Sequence, residues 1–177
     1  NAELKRETFV IDEKTGATAE VNGKKYYTLL EAWQNATANS TIKLLADVDL
    51  TGLQGMYVPA TTLTLDLNEK TLYIPFQALA FAGEGFTIKN GTIKGASRCV
   101  NTRTAVELVL EDVTLIADTY NSFGNPQPLT IGGAENGTKV TMTNVNISAA
   151  AGYGIITFVK TELTATNSTI GGYNALY

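Results

Sequence analysis

Catalysis needs groups that move protons, hold metals or attack electrophiles, and this chain offers few of them. It contains no histidine, which removes every His-dependent triad, His metal ligand and His pH switch at once. Its single cysteine, Cys99, cannot pair within the chain. With no imidazole to activate it, the thiol reads as a small buried apolar group. Among the 17 acidic residues two short groups are candidates, Asp47 with Asp49, and Glu111 with Asp112 and Asp118. Such pairs are the raw material of general acid–base work or calcium binding. Lys89, Lys94, Arg98 and Arg103 gather in one stretch and would suit a groove for acidic polysaccharide. Arg98, Arg103 and Asp118 are therefore secondary site candidates. No catalytic residue is assigned, and no metal or cofactor is expected.

The segment Thr119–Pro128, TYNSFGNPQP, carries the most functional weight. It is aromatic and kinked by two prolines, and the expectation is that it stays outside regular structure. Long loops on rigid scaffolds are where binding usually sits. Tyr120, Phe123 and Asn125 are the candidate binding residues, with the two aromatics placed to stack on a sugar or dock a protein.

These residues hang on an internal period. IKLLADVDL (42–50), FTIKNGTI (86–93), LVLEDVTL (108–115), VTMTNVNI (140–147) and LTATNSTI (163–170) share one pattern. Apolar residues two apart precede Asn or Asp, then a spacer, a polar residue and an aliphatic. LDLNEKTL (65–72) is a sixth copy with one extra residue after its Asn. The closing aliphatics Leu50, Leu72, Ile93, Leu115, Ile147 and Ile170 are spaced by 22, 21, 22, 32 and 23. The one long interval holds the Thr119–Pro128 insertion.

A period of about 22 with alternating apolar positions and no helical stretch has few solutions. Stacked in parallel at about 4.8 Å per rung, the copies satisfy one another's backbone groups and form inward aliphatic columns. The expected fold is all-β, a right-handed parallel β-helix of five to six rungs, with a β-sandwich as runner-up. The column Asp47, Asn68, Asn90, Asp112, Asn144 and Asn167 marks a corner in left-handed or bridge geometry. Thr92, Thr114, Asn146 and Thr169 form an outward polar ladder. Glu111, one rung from Lys89, reads as half of an exposed ion pair. Tyr153 and Tyr173 occupy matching places and are expected to stack.

Residues 1–41 read as a cap and 42–177 as rungs of one domain. Asn22-Gly23 between alternating residues signals a hairpin. Thr28 and Glu31 match a capping box opening a helix that runs to about Ala38, with Leu29, Leu30, Trp33 and Ala36 on one stripe. Trp33 is the expected plug of the core's end.

The run YYTLLEAWQNATANSTIKLLADVDL followed by TLDLNEKTL resembles the start of right-handed parallel β-helix domains of the pectate-lyase-like superfamily, above all the bacterial cell-surface versions. The resemblance covers most of the chain, from about Val21 onward, and Glu69 stands where the second motif usually has Gly. It implies fold more than activity, since the superfamily holds lyases, hydrolases, adhesins and passenger domains alike. Hydrolases of the group use Asn-Thr-Asp, Asp-Asp and Gly-His-Gly motifs. Here Asn101-Thr102-Arg103 has Arg in place of the acid, and the other two motifs are absent. The function expected is a non-catalytic structural or adhesive module of a larger bacterial surface or secreted protein, extracellular or on the cell surface. Its expected partners are glycan or host protein, together with further rungs or domains of the same polypeptide. The alternative is a polysaccharide lyase or glycoside hydrolase fragment acting on acidic polysaccharide.

A net charge of −4 excludes the basic excess of a nucleic-acid binder, and no apolar run is long enough to span a membrane. Opening on Asn1 and stopping at Tyr177, soon after Ile170, the chain reads as a piece of a longer protein. Six Asn-x-Ser/Thr sequons, at Asn35, Asn39, Asn90, Asn136, Asn146 and Asn167, follow from the Asn- and Thr-rich repeat itself.

Overall fold

The structure, a computed structural model, describes residues 16–50, 56–57, 62–74, 79–80, 84–103, 106–119, 125–132 and 135–177. The chain begins with the hairpin β1 (Ala19–Val21) and β2 (Lys24–Tyr26), in which Val21 pairs with Lys24. Its two-residue loop has Asn22 at φ 51° and Gly23 at φ 83°, the doubly positive backbone that suits Asn-Gly. Helix α1 (Leu29–Asn35) follows, with both halves of the Thr28–Glu31 capping box formed. It ends earlier than the sequence predicts, with Ala36 already extended. The buried stripe is Leu29, Ala32 and Trp33, whereas Leu30 is 41% exposed.

Among the described residues, strands then coil without further helices. In chain order they are β3 (Thr41–Leu44), β4 (Val48–Asp49), β5 (Met56–Tyr57), β6 (Leu63–Ile74), β7 (Leu79–Ala80), β8 (Phe86–Gly95) and β9 (Arg98–Asn101). Next come β10 (Glu107–Ala117), β11 (Gln127–Ile131), β12 (Thr138–Thr143), β13 (Asn146–Ala149) and β14 (Tyr153–Thr157). The last rung holds β15 (Thr161–Thr166), β16 (Thr169–Gly171) and β17 (Asn174–Leu176). The first sheet runs β15-β12-β10-β8-β6-β3-β1-β2, and the second runs β17-β14-β11-β9-β7-β5. Every pairing from β3 onward is parallel. The result is a parallel β-solenoid of about 5 turns, roughly 24 Å tall at the spacing of adjacent strands.

Inward columns form as the period requires. Leu72, Ile93, Leu115, Ile147 and Ile170 stand in one register. Leu65, Ile88, Leu110 and Met142 stand in another, all at 0% exposure. Each such side chain removed from water contributes about 1.5–3 kcal/mol. At the capped end, Trp33 is 2% exposed and stacks on Phe86 with ring centroids 6.5 Å apart.

Three further details differ from the sequence reading. In the first rung Val48, not Leu50, lies beside Leu72, so that copy is shifted by two. The register places Leu63 beside Phe86 and Leu65 beside Ile88, then Lys70 beside Gly91. From Asp66 to Lys70 is four steps against two from Lys89 to Gly91, so β6 holds two extra residues rather than one. Tyr153 meets Tyr177 at a centroid distance of 5.0 Å, and Tyr173 is 87% exposed instead of stacking on it.

The outer face of the first sheet carries an order that spans the strands rather than running along them. Lys25, Glu20, Lys43, Asp66, Lys89 and Glu111 are successive register partners from β2 to β10. Opposite charges alternate at every step. Glu107, Lys139 and Glu162 repeat this on β10, β12 and β15.

Candidate functional site

The corner of the coil is built by side chains that tolerate left-handed backbone. Asn68, Asn90, Asp112, Asn144 and Asn167 have φ of 49°, 59°, 54°, 54° and 49°, the region that Asn and Asp enter most easily after Gly. Asp47 does not share this conformation; it lies one residue before Val48, and its Oδ1 accepts the Thr71 N–H at 2.8 Å. The amides also cross-link the rungs. Asn68 Nδ2 donates to the Leu44 carbonyl at 2.9 Å, Asn90 Nδ2 to Asp66 Oδ1 at 3.1 Å, and Asn144 Nδ2 to Asp112 Oδ1 at 2.8 Å.

The extra residues of β6 turn this corner into a cleft. Leu67 points into the core at 0% exposure, while Asn68 and Glu69 both sit at positive φ, 49° and 63°. Gly91 is required opposite them, because a Cβ there would lie 2.6 Å from Leu67 Cβ and 2.7 Å from the Lys70 carbonyl oxygen. The cleft, about 540 Å³, is lined by Asp66, Asn68, Glu69, Asn90, Gly91 and Asp112. Asp66 is committed: it accepts the Asn68 N–H at 2.9 Å and the Asn90 amide, with Lys89 Nζ 4.0 Å away. Lys89 thus turns to Asp66 and not to Glu111 on its other side. Glu69 is exposed and makes no side-chain hydrogen bond or ion pair to a described residue. Chemically the cleft is an open row of carboxylate and amide groups with a net negative charge. It can accept hydrogen bonds from hydroxyl or amine groups. Among the described residues no three His, Cys, Asp or Glu side chains are grouped to hold a metal ion.

Of the residues singled out in the sequence, Arg98, Arg103, Asp118 and Asn125 are not among those that line this cleft. Tyr120 and Phe123 lie outside the described residues; Asn125 is exposed. The insertion they belong to does enter the stack at its end. Gln127 and Pro128 open β11, where Gln127 pairs with Arg98. Pro126 is buried, and its carbonyl accepts the Tyr153 N–H at 2.9 Å. Proline lacks an N–H, but the register bonds of β11 run through its neighbours. Arg98 is half-buried on β9 of the second sheet, and Arg103 is exposed in the turn after it. The Arg103 N–H donates to Asn101 Oδ1 at 2.9 Å. Asp118 is exposed at the end of β10 and accepts from the Thr119 hydroxyl at 2.9 Å. Lys89 and Lys94 lie on β8 of the first sheet, and Arg98 and Arg103 lie on or just after β9 of the second.

Cys99 is buried at 0% exposure, its thiol donating to the carbonyls of Ile116 at 3.2 Å and Ile93 at 3.5 Å. Burial pushes that thiol up to about 12, far from a nucleophile. The corner cleft was missed in the sequence because Glu69 looked like a substitution in a turn. The readable signal was the surplus in LTLDLNEKTL, which has to bulge somewhere. Among the described residues no helix is long and apolar enough to cross a membrane. No family model, curated protein or solved structure matches the chain.

Proposed function

We propose that the protein is a non-catalytic structural and adhesive module, a parallel β-helix of pectate-lyase-like type from a bacterial surface or secreted protein. Its corner cleft holds a neutral or amino sugar of a glycan. The observation that carries this reading is Glu69. A non-Gly residue at φ 63° is held at a cost of about 1–2 kcal/mol, with its carboxylate exposed and no partner among the described residues. Strain of that kind persists where the surroundings use it. The neighbouring amides supply further donors and acceptors at the rung spacing, which suits hydroxyl-rich ligands.

The same charges weigh against the alternative of a lyase or hydrolase for acidic polysaccharide, since a polyanion would meet Asp66, Glu69 and Asp112. Asp66 and Asp112 are also two rungs apart, about 9–10 Å by strand spacing. That is too far for a retaining pair and at the outer limit of an inverting one. The test is a glycan array spanning neutral, amino and acidic sugars, run beside an assay for reducing-end and unsaturated products. The expected result is binding to neutral or amino glycans, weakened at least about tenfold by Glu69→Gly, with no product formed. Product formation abolished by altering Asp112, Arg98, Arg103 or Asp118 overturns the module reading. Binding that survives Glu69→Gly but is lost on Tyr120→Ala with Phe123→Ala moves the site to the 119–128 segment.

A further inference from the structure

Three Asn-Gly pairs occur in the chain, at 22–23, 90–91 and 136–137. Such a pair is open to one spontaneous reaction, attack of the glycine's backbone nitrogen on the side-chain carbonyl carbon of the asparagine. Glycine permits it because no Cβ hinders the approach. The attack needs that nitrogen and that carbon on the same side of the asparagine's Cα–C bond. Left-handed backbone, with ψ of about +47°, holds them on opposite sides.

The fold locks two of the pairs in that unreactive form. Asn22 has φ 51° in a two-residue turn closed by the pairing of Val21 with Lys24. Asn90 has φ 59° and lies within β8, its Nδ2 held by Asp66 Oδ1 at 3.1 Å. Asn136 differs on each count. It is exposed in the turn before β12, is not at positive φ, and makes no side-chain hydrogen bond to a described residue. Its glycine is also fixed by the fold. Gly137 has φ 92°, and a Cβ there would lie 2.5 Å from the Lys160 carbonyl oxygen.

We propose that Asn136 is a site of spontaneous covalent modification, deamidated through Gly137 in the folded protein. The Gly137 nitrogen bonds to Asn136 Cγ, the side-chain amide nitrogen leaves as ammonia, and the proton of the attacking N–H reaches it through solvent. Water then opens the five-membered imide at either carbonyl, leaving aspartate or isoaspartate. One water is consumed and one ammonia released. Isoaspartate adds a methylene to the main chain beside a glycine already pressed on Lys160. Thr138, 3% exposed, donates its N–H to that same Lys160 carbonyl at 2.9 Å, at the start of the β12–β15 pairing. Modification therefore loosens this rung junction from its first residue.

Peptide mapping by mass spectrometry tests this on protein aged at mildly alkaline pH, once folded and once in guanidinium. In guanidinium the three pairs should convert at similar rates. In the folded protein Asn136 should convert at least about tenfold faster than Asn22 or Asn90, with isoaspartate at 136 detected by isoaspartyl methyltransferase labelling. Amides of 138–143 should then exchange with solvent faster in the aged protein than in Asn136→Ser aged alongside it. Equal rates at the three sites of the folded protein, Asn22 or Asn90 ahead, or an inert Asn136 where the unfolded chain reacts would each overturn the assignment. Unchanged exchange despite isoaspartate at 136 would overturn the loosening of the junction.

Discussion

Replacing Glu69 by glycine should make the protein more stable, an unusual outcome for a change within a strand. Glu69 sits at φ 63°, where an L-residue with a side chain loses about 1–2 kcal/mol relative to right-handed backbone. Glycine escapes that penalty but returns about 0.4–1 kcal/mol through the greater freedom of the unfolded chain. No hydrogen bond or ion pair to a described residue is lost with the carboxylate. The net expectation is a gain of roughly 0.5–1 kcal/mol, or about 1–4 °C for a chain of this size. Asn68 beside it is the control. Its φ is also positive, 49°, but Asn68→Gly removes the Nδ2 bond to the Leu44 carbonyl, costing about 1 kcal/mol against a smaller relief of strain. The neighbours should therefore move in opposite directions. Urea unfolding followed by fluorescence of Trp33, the only tryptophan, reads both, provided the denaturant slope is unchanged. A Glu69→Gly midpoint at or below that of the parent would refute the strain argument.

Two further outcomes follow from close packing and burial. Gly152→Ala should prevent the last rungs from docking and cost several kcal/mol, because a Cβ there would fall 2.0 Å from the Pro126 carbonyl oxygen; a melting curve like the parent's would contradict it. Cys99, raised from about 9.0 to about 12, should resist thiol reagents at pH 8 until the chain is unfolded. Its contribution to stability is complete below pH 9 and is lost as the pH rises toward 12, because the unfolded thiol ionises first; a midpoint in urea that stays level between pH 9 and 11 would refute this.

Much of the architecture could be read from residue spacing, because a solenoid repeats its local rules. Ile147 beside Ile170, the Asn-Gly hairpin and the Thr28–Glu31 box each depend on neighbours in sequence or on one fixed offset. The slips arose where a rung departs from the rule. The first copy ends two residues early at Val48, and β6 absorbs two extra residues at its corner. Both involve backbone paths that compete closely, and burial of Leu67 decides one of them. The partner of Lys89 was misread for a related reason. Alignment placed acids on both sides of it, and only the distance to Asp66 chooses between them. The cleft was legible only in part: its residues stood in the corner column, but the left-handed Glu69 beside Gly91 belongs to two rungs at once.

Neighbour order in the first sheet follows chain order from β3 onward, and this governs how the chain can be assembled. Each new rung pairs with the one just completed. Ile88 to Leu110 is an offset of 22, Met142 to Ala165 is 23, and the insertion lengthens Leu110 to Met142 to only 32. Closing the longest of these loops instead of the shortest costs about 0.3 kcal/mol more. Every step of winding therefore meets nearly the same entropic barrier and finds a finished edge as its template, so a growing chain can coil as it emerges. Lengthening such a coil adds steps without making any step harder.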